Sequence, residues 1–211
     1  MRKSIENFKS SLATGGLRPT MYEVNLTIPS YVNQYLLSGL SSRSFYEGNN
    51  GFASQFMMLC KATTIPPSTT TTVSVGLPAG ESLKLPGSRI FEPWNTSVIS
   101  DGEMRLRNVL EAWSEIIIGH PSAVGAPNLS DFMGSAQVRQ LNRRGEPVRI
   151  YNLEYLYPQS IEAQDLAFDA FDSIAEFNVV WNYHYYTVTK PNPLEELIDE
   201  GLQDLFQRIT S

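Results

Sequence analysis

Cysteine is all but missing from this chain: Cys60 is the single one among 211 residues. A lone cysteine excludes an intrachain disulfide and a fold stapled for an oxidising compartment. Histidine is scarce too. His120 and His184 have no second His or Cys at metal-ligand spacing. Charged residues make up only 18% of the chain against 42% hydrophobic. A surface so poor in charge suits extensive contact with other protein. No apolar run reaches the length of a membrane helix. Residues 1–12 lack the continuous apolar stretch of a signal peptide. These absences lead us to expect a soluble protein made in the cytoplasm, with no membrane partner.

Catalytic motifs are missing as well. There is no G-x-S-x-G, P-loop, dinucleotide fingerprint or H-E-x-x-H. Asp165, Asp169 and Asp172 lie in a glycine-free, Ala/Phe-rich connection without a calcium-loop pattern. Cys60 sits in an apolar run and reads as a small core hydrophobe. The expectation is no enzyme, no cofactor and no metal. With 16 Lys plus Arg against 22 Asp plus Glu, the net charge is −6. A mildly acidic chain has no electrostatic footprint for gripping phosphates.

What is present is pattern. From Tyr22 to Ile28 the chain alternates, with Tyr22, Val24, Leu26 and Ile28 on one face and Glu23, Asn25 and Thr27 on the other. Further strands are expected over 55–65, 91–99, 136–141 and 148–156. The runs 69–75 and 82–85 form a hairpin around Gly76 to Gly80. The longest strand is expected over 174–188, with Phe177, Val179, Trp181, Tyr183 and Tyr185 opposite Glu176, Asn178, Asn182, His184 and Tyr186. Residues 29–51 are rich in Ser, Asn, Gly and Tyr and read as a long loop or insertion.

Leu106, Val109, Leu110, Trp113, Ile116 and Ile117 recur at helical spacing, behind capping-box spacing at residues 100–103. Asn142-Arg143-Arg144-Gly145 reads as a hairpin turn. After Pro191-Asn192-Pro193, an amphipathic stripe from Leu194 to Ile209 predicts a helical tail. The sum is a mainly β chain: an antiparallel β-sandwich or barrel with one flanking α-helix and a C-terminal helical tail. Clean alternation with uncharged polar residues suits a sheet with one face in the core and one in water.

The ordered string of motifs resembles the tail tube proteins of contractile-tailed bacteriophages. Arg18-Pro19-Thr20-Met21-Tyr22-Glu23-Val24 is similar to the family's opening strand. Cys60-Lys61-Ala62-Thr63-Thr64-Ile65-Pro66 is similar to its Cys-Lys-Ala-x-x-Leu/Ile-Pro. Lys84-Leu85-Pro86-Gly87-Ser88-Arg89-Ile90-Phe91, then Trp94, Val98, Ile99 and Asp101, resemble the run before its helix. Leu110-Glu111-Ala112-Trp113, Val138-Arg139-Gln140-Leu141, Leu156-Tyr157-Pro158 and residues 174–179 complete the order. Ser88 stands where the family usually has Asp, so no role passes to that side chain. The resemblance runs from about residue 18 to 186.

It implies an N-terminal arm at 1–17, a tube-barrel domain at 18–189 with an insertion at 29–53, and the tail at 190–211. It implies hexameric rings whose strands complete an inner barrel and which stack head to tail, a heterologous contact. Sheath subunits surround such a tube, baseplate tube proteins start it, and a tape-measure protein occupies the lumen during assembly. DNA passes through without specific binding. The same fold appears in the tube of type VI secretion systems. The expected place is the virion tail, after assembly in host cytoplasm. The insertion and the tail exceed compact members, which leaves a baseplate tube initiator as the alternative.

Three groups become candidate sites. Glu23, Asn25, Thr27, Glu176, Asn178 and Asn182 are candidates for the lumen wall, although alternation alone fits an ordinary wet sheet face equally well. Leu77, Pro78 and Ala79, the apolar hairpin tip, are candidates for ring stacking. Arg143 and Arg144 are candidates for a contact turn, where a merely soluble turn is the plainer alternative.

Overall fold

The computed structural model describes residues 5–12, 15–39, 51–76, 81–119, 125–169 and 171–191. In chain order it contains α1 (Ile5–Ser11), β1 (Tyr22–Thr27), α2 (Ser30–Gly39), α3 (Phe52–Leu59), β2 (Cys60–Thr63), β3 (Ser68–Gly76), β4 (Ser82–Phe91) and β5 (Trp94–Ile99). There follow α4 (Arg105–Ile117), α5 (Leu129–Phe132), β6 (Gly134–Leu141), β7 (Pro147–Ile161), β8 (Glu176–Asn182) and β9 (Tyr185–Thr189). Seven strands form one sheet in the order β1-β6-β7-β8-β5-β2, with β9 joined to β7. β3 and β4 form a separate two-stranded sheet. The β2–β5, β3–β4, β5–β8 and β7–β8 pairings are all antiparallel. The mainly β, antiparallel expectation is met. The sheet path ends on β1 and β2, so the barrel is not closed among the described residues of one subunit.

Backbone contacts divide the chain into a larger unit, residues 24–138 and 151–187, and a smaller one, residues 1–23, 139–150 and 188–211. The larger unit holds the aromatic core. Trp181 of β8 lies 6.0 Å from Trp94 of β5, 5.8 Å from Trp113 of α4 and 6.0 Å from Phe56 of α3, centroid to centroid. Each indole N–H finds an acceptor: Trp181 on Thr96 Oγ1 at 2.9 Å, Trp94 on Thr63 Oγ1 at 2.9 Å, and Trp113 on the Phe132 carbonyl at 2.6 Å. Large rings therefore fill the core without an orphaned donor.

α4 forms where expected because Leu106, Val109, Leu110, Trp113 and Ile116 share one face and are all buried. Its start differs. The capping box at 100–103 does not form: the Ser100 N–H donates to the Ala175 carbonyl, and Glu103 receives the Arg105 side chain. Asp101 Oδ1 instead accepts the Arg105 backbone N–H at 2.8 Å. The chain enters through Met104 at φ 52°, so the helix begins later than the box requires.

Other expectations are corrected. Residues 55–65 are not one strand: helix α3 runs to Leu59, burying Phe52 and Phe56 four residues apart, and only Cys60–Thr63 is extended. Short apolar runs suit either state, and here the i,i+4 pair met a core. The strand over 91–99 is interrupted at Glu92-Pro93, where proline has no N–H for a ladder. The long strand over 174–188 is two strands. Phe177, Val179, Trp181 and Tyr183 are buried, but beyond His184 the facing flips and Tyr185 is exposed. The break sits where the His184 N–H donates to the Glu154 carbonyl, beside Tyr155 at φ 56°. That leaves β7, at 15 residues, as the longest described strand. The 29–53 segment contains helix α2 and the start of α3. α2 packs on α4 and α5, and α3 packs on α4, so α4 is not the lone flanking helix. The expected C-terminal helical tail lies outside the described residues.

Candidate functional site

Of the six polar residues singled out for a channel wall, five lie on strands of the larger unit and the sixth, Glu23, in the smaller one. On β8, Glu176, Asn178 and Asn182 turn away from buried Phe177, Val179 and Trp181. On β1, Glu23, Asn25 and Thr27 alternate with buried Val24 and Leu26. Register puts Ser97 of β5 opposite Asn178, and Tyr157 of β7 opposite Asn182. Asn178 Nδ2 donates to Glu162 Oε2 at 3.0 Å, and Asn182 Nδ2 to the Tyr157 hydroxyl at 3.1 Å. A shallow depression of about 360 Å³ opens beside Asn95, Ser97, Glu162 and Asn178.

Two cations in this carpet are absent from the sequence-based list. Lys61 of β2 pairs with Glu176. Arg139 of β6 stands 3.7 Å from Glu23, both in the smaller unit. The signal was present for Arg139, which follows buried Val138 in an alternating strand, but not for Lys61, because in β2 both Lys61 and Ala62 are exposed. The face is therefore rich in amides and hydroxyls, and both candidate glutamates have a cation nearby.

Among the described residues, burial chiefly pushes the Cys60 thiol and the Tyr183 hydroxyl up to about 12. A thiol held protonated is no nucleophile at neutral pH, and it agrees with the core-hydrophobe reading of Cys60. Among the described residues, no three His, Cys, Asp or Glu side chains gather to hold a metal.

The β3–β4 hairpin is apolar and open. Val73 pairs with Leu85 and Val75 with Leu83, which puts four apolar side chains on one face. Their exposures run from 42% to 52%. The ladder shifts between Thr70 and Thr72, opposite Gly87, where an added Cβ would lie 2.5 Å from Thr71 Oγ1. The tip residues Leu77, Pro78 and Ala79 lie outside the described residues. A second apolar surface went unnoticed in the sequence. Between β7 and β8, Leu166, Phe168, Phe171 and Ile174 are all at least 70% exposed.

The 142–145 turn is a hairpin turn as expected. Asn142 Oδ1 accepts the backbone N–H groups of Arg144 at 2.8 Å and Glu146 at 3.0 Å, and Gly145 takes φ 81°. Arg143 and Arg144 are exposed. The Arg143 guanidinium lies so close to Gly15, at φ 77°, that a Cβ there would meet it at 2.8 Å. With Gly16, Leu17 and Val148 these residues line a cleft of about 750 Å³ within the smaller unit.

The sequence profile of the phage tail tube proteins matches residues 17–189. The chain belongs to the phage tail tube protein family. It is 25% identical over 132 residues to the tail tube protein gp19 of Enterobacteria phage T4, covering 62% of this chain and 80% of that one. The same figures hold for tail tube protein gp19 of Enterobacteria phage T6. Among solved structures, the fold is similar to a sheath/tube terminator from the extended PVC extracellular contractile injection system, with TM-score 0.56 at 10% identity over 82% of this chain and 96% of that one. It is also similar to the tube-terminating cap of the anti-feeding prophage, with TM-score 0.55 at 14% identity over 83% and 91%. As a tail tube protein it has a structural role in the virion tail, and the matches favour tube subunits over the baseplate-initiator alternative.

Proposed function

We propose that six copies of this subunit close into a ring, and that rings stack head to tail as the inner tube of a contractile tail. The observation that carries this reading is the open sheet together with the bare hairpin. Among the described residues β1 and β2 end the sheet path, and pairing between copies is the standard remedy for sheet edges. The hairpin's Val73, Val75, Leu83 and Leu85 and the side chains of Leu166, Phe168, Phe171 and Ile174 are exposed, and exposed apolar clusters mark contact surfaces. In this reading the hairpin, with Leu77, Pro78 and Ala79 at its tip, reaches the next ring. Arg143 and Arg144 form a contact turn. The amide-rich sheet face, with Glu23, Asn25, Thr27, Glu176, Asn178 and Asn182, lines the lumen.

DNA passes through without specific binding, because a wall of amides and offset charges gives phosphates no cationic stripe. Sheath protein polymerises outside, baseplate tube proteins begin the stack, and a tape-measure protein fills the lumen before DNA does. Subunits accumulate in host cytoplasm until they enter the tail. The role requires no catalysis and no cofactor. The test is direct: purified protein, concentrated and imaged by negative-stain microscopy, gives six-fold rings or open-ended tubes. A protein that stays monomeric at high concentration overturns the reading.

A further inference from the structure

We propose that Arg89 is a positioning residue: it locks the root of the β3–β4 hairpin to β9 and so sets the direction in which the hairpin leaves the body. This rests on the reading of the hairpin as a contact arm. Almost every described residue of β3 and β4 is exposed, with Thr71, Gly87 and Phe91 the half-buried exceptions. An arm with no packing along its length takes its direction from its root.

At the root, one guanidinium touches three strands. Arg89, on β4, donates through Nη2 to Ser68 Oγ of β3 at 3.1 Å and to the Tyr186 hydroxyl of β9 at 3.0 Å. Its Cζ lies 4.9 Å from the Phe91 ring centre and 5.1 Å from that of Tyr186. The two rings meet edge to face at 5.3 Å. A planar cation that stacks on rings while donating in its plane is what arginine supplies and lysine does not. Tyr186 is anchored in turn against Tyr151 at 5.9 Å. Buried Tyr183 fastens the approach to β3, donating its hydroxyl to the Pro67 carbonyl at 3.2 Å. Arg89 itself is exposed. Its removal frees the arm and leaves the core packed.

The test compares the wild-type full chain with Arg89→Ala, Arg89→Lys and Tyr186→Phe. Melting, ring formation and tube formation are followed together with backbone hydrogen exchange. In Arg89→Ala, rings persist, the melting temperature moves by no more than about 2–4 °C, and stacked tubes fall about tenfold. Exchange in β3 and β4 rises about tenfold while β5 and β8 stay as in the wild type. Arg89→Lys keeps the charge and does not recover tubes, and Tyr186→Phe falls between. A general structural defect would instead lower rings, tubes and melting temperature together, and that result overturns the proposal. So does unchanged hairpin exchange in Arg89→Ala. A wild type that never stacks sinks the contact-arm reading, whereas the exchange result judges Arg89 either way.

Discussion

Lys61 reaches past β5 to the carboxylate of Glu176, and Ser97 Oγ supports the second carboxylate oxygen at 3.5 Å. One end of the polar face thus carries a matched pair. The other candidate glutamate, Glu23, has Arg139 at 3.7 Å. Each acid offsets the charge of its neighbouring cation, Glu176 that of Lys61 and Glu23 that of Arg139.

Replacing both Glu23 and Glu176 by glutamine tests this. Partly exposed pairs contribute about 0–1 kcal/mol, so stability should barely move. Rings and tubes should still form. The assembled variant should retain duplex DNA in a salt-sensitive way, and the wild type should not. Filter binding across salt concentrations reads the difference. Tight, salt-sensitive retention by the wild type would sink the conduit wall, and loss of assembly in the variant would move these residues to an interface.

Val75 and Leu83 face each other on the hairpin. Because both are exposed, Val75→Lys with Leu83→Glu, which leaves opposite charges across the ladder, should change unfolding free energy by about 0.5 kcal/mol or less. Tube formation should nevertheless fail while rings remain. Sedimentation separates the two species, and tubes of wild-type length in this variant would remove the hairpin from the stacking contact.

Trp113 is fully buried, edge-to-face on Trp181. Trp113→Ala should cost about 3–5 kcal/mol, the loss expected for a large aromatic truncated in a packed core. Urea denaturation provides the measurement. An unchanged midpoint would show that α4 does not seal this core.

Burial lifts the Cys60 thiol from its ordinary value of 9.0 to about 12. A raised folded-state value means that the contribution is fully present below the unfolded value and is lost as pH rises through the folded one. The Cys60 contribution should therefore hold below pH 9 and decline toward pH 12. At pH 8 a thiol reagent should label Cys60 quickly in denaturant and slowly in the native protein. Rapid labelling of the native protein would contradict its burial.

Some of this was legible in the residues. α4 announced itself because one face of a 3.6-residue period is buried and the other carries Arg107 and Glu111, which pair at 2.8 Å. β1 and β8 were legible for the matching reason at period two. α3 was not, because an apolar run of eight residues suits either state until something packs on it. The helix start was missed because capping spacing at residues 100–103 said nothing about Asp101 reaching the Arg105 amide. The partner cations were missed because residues 61 and 176 are 115 apart in the chain.

The sequence by itself determined the class of this protein: mainly β, one strongly amphipathic helix, a lone buried cysteine, and family motifs in order from residue 18 to 186. Periodicity and motif order are local properties, and local sterics and solvation suffice to express them. Only the tertiary structure decided where the long final strand breaks, which cations meet Glu23 and Glu176, and that Arg89 ties β3, β4 and β9 together. Those depend on register and bulges, which are set by pairing between distant segments. A one-residue slip there reverses every side chain that follows.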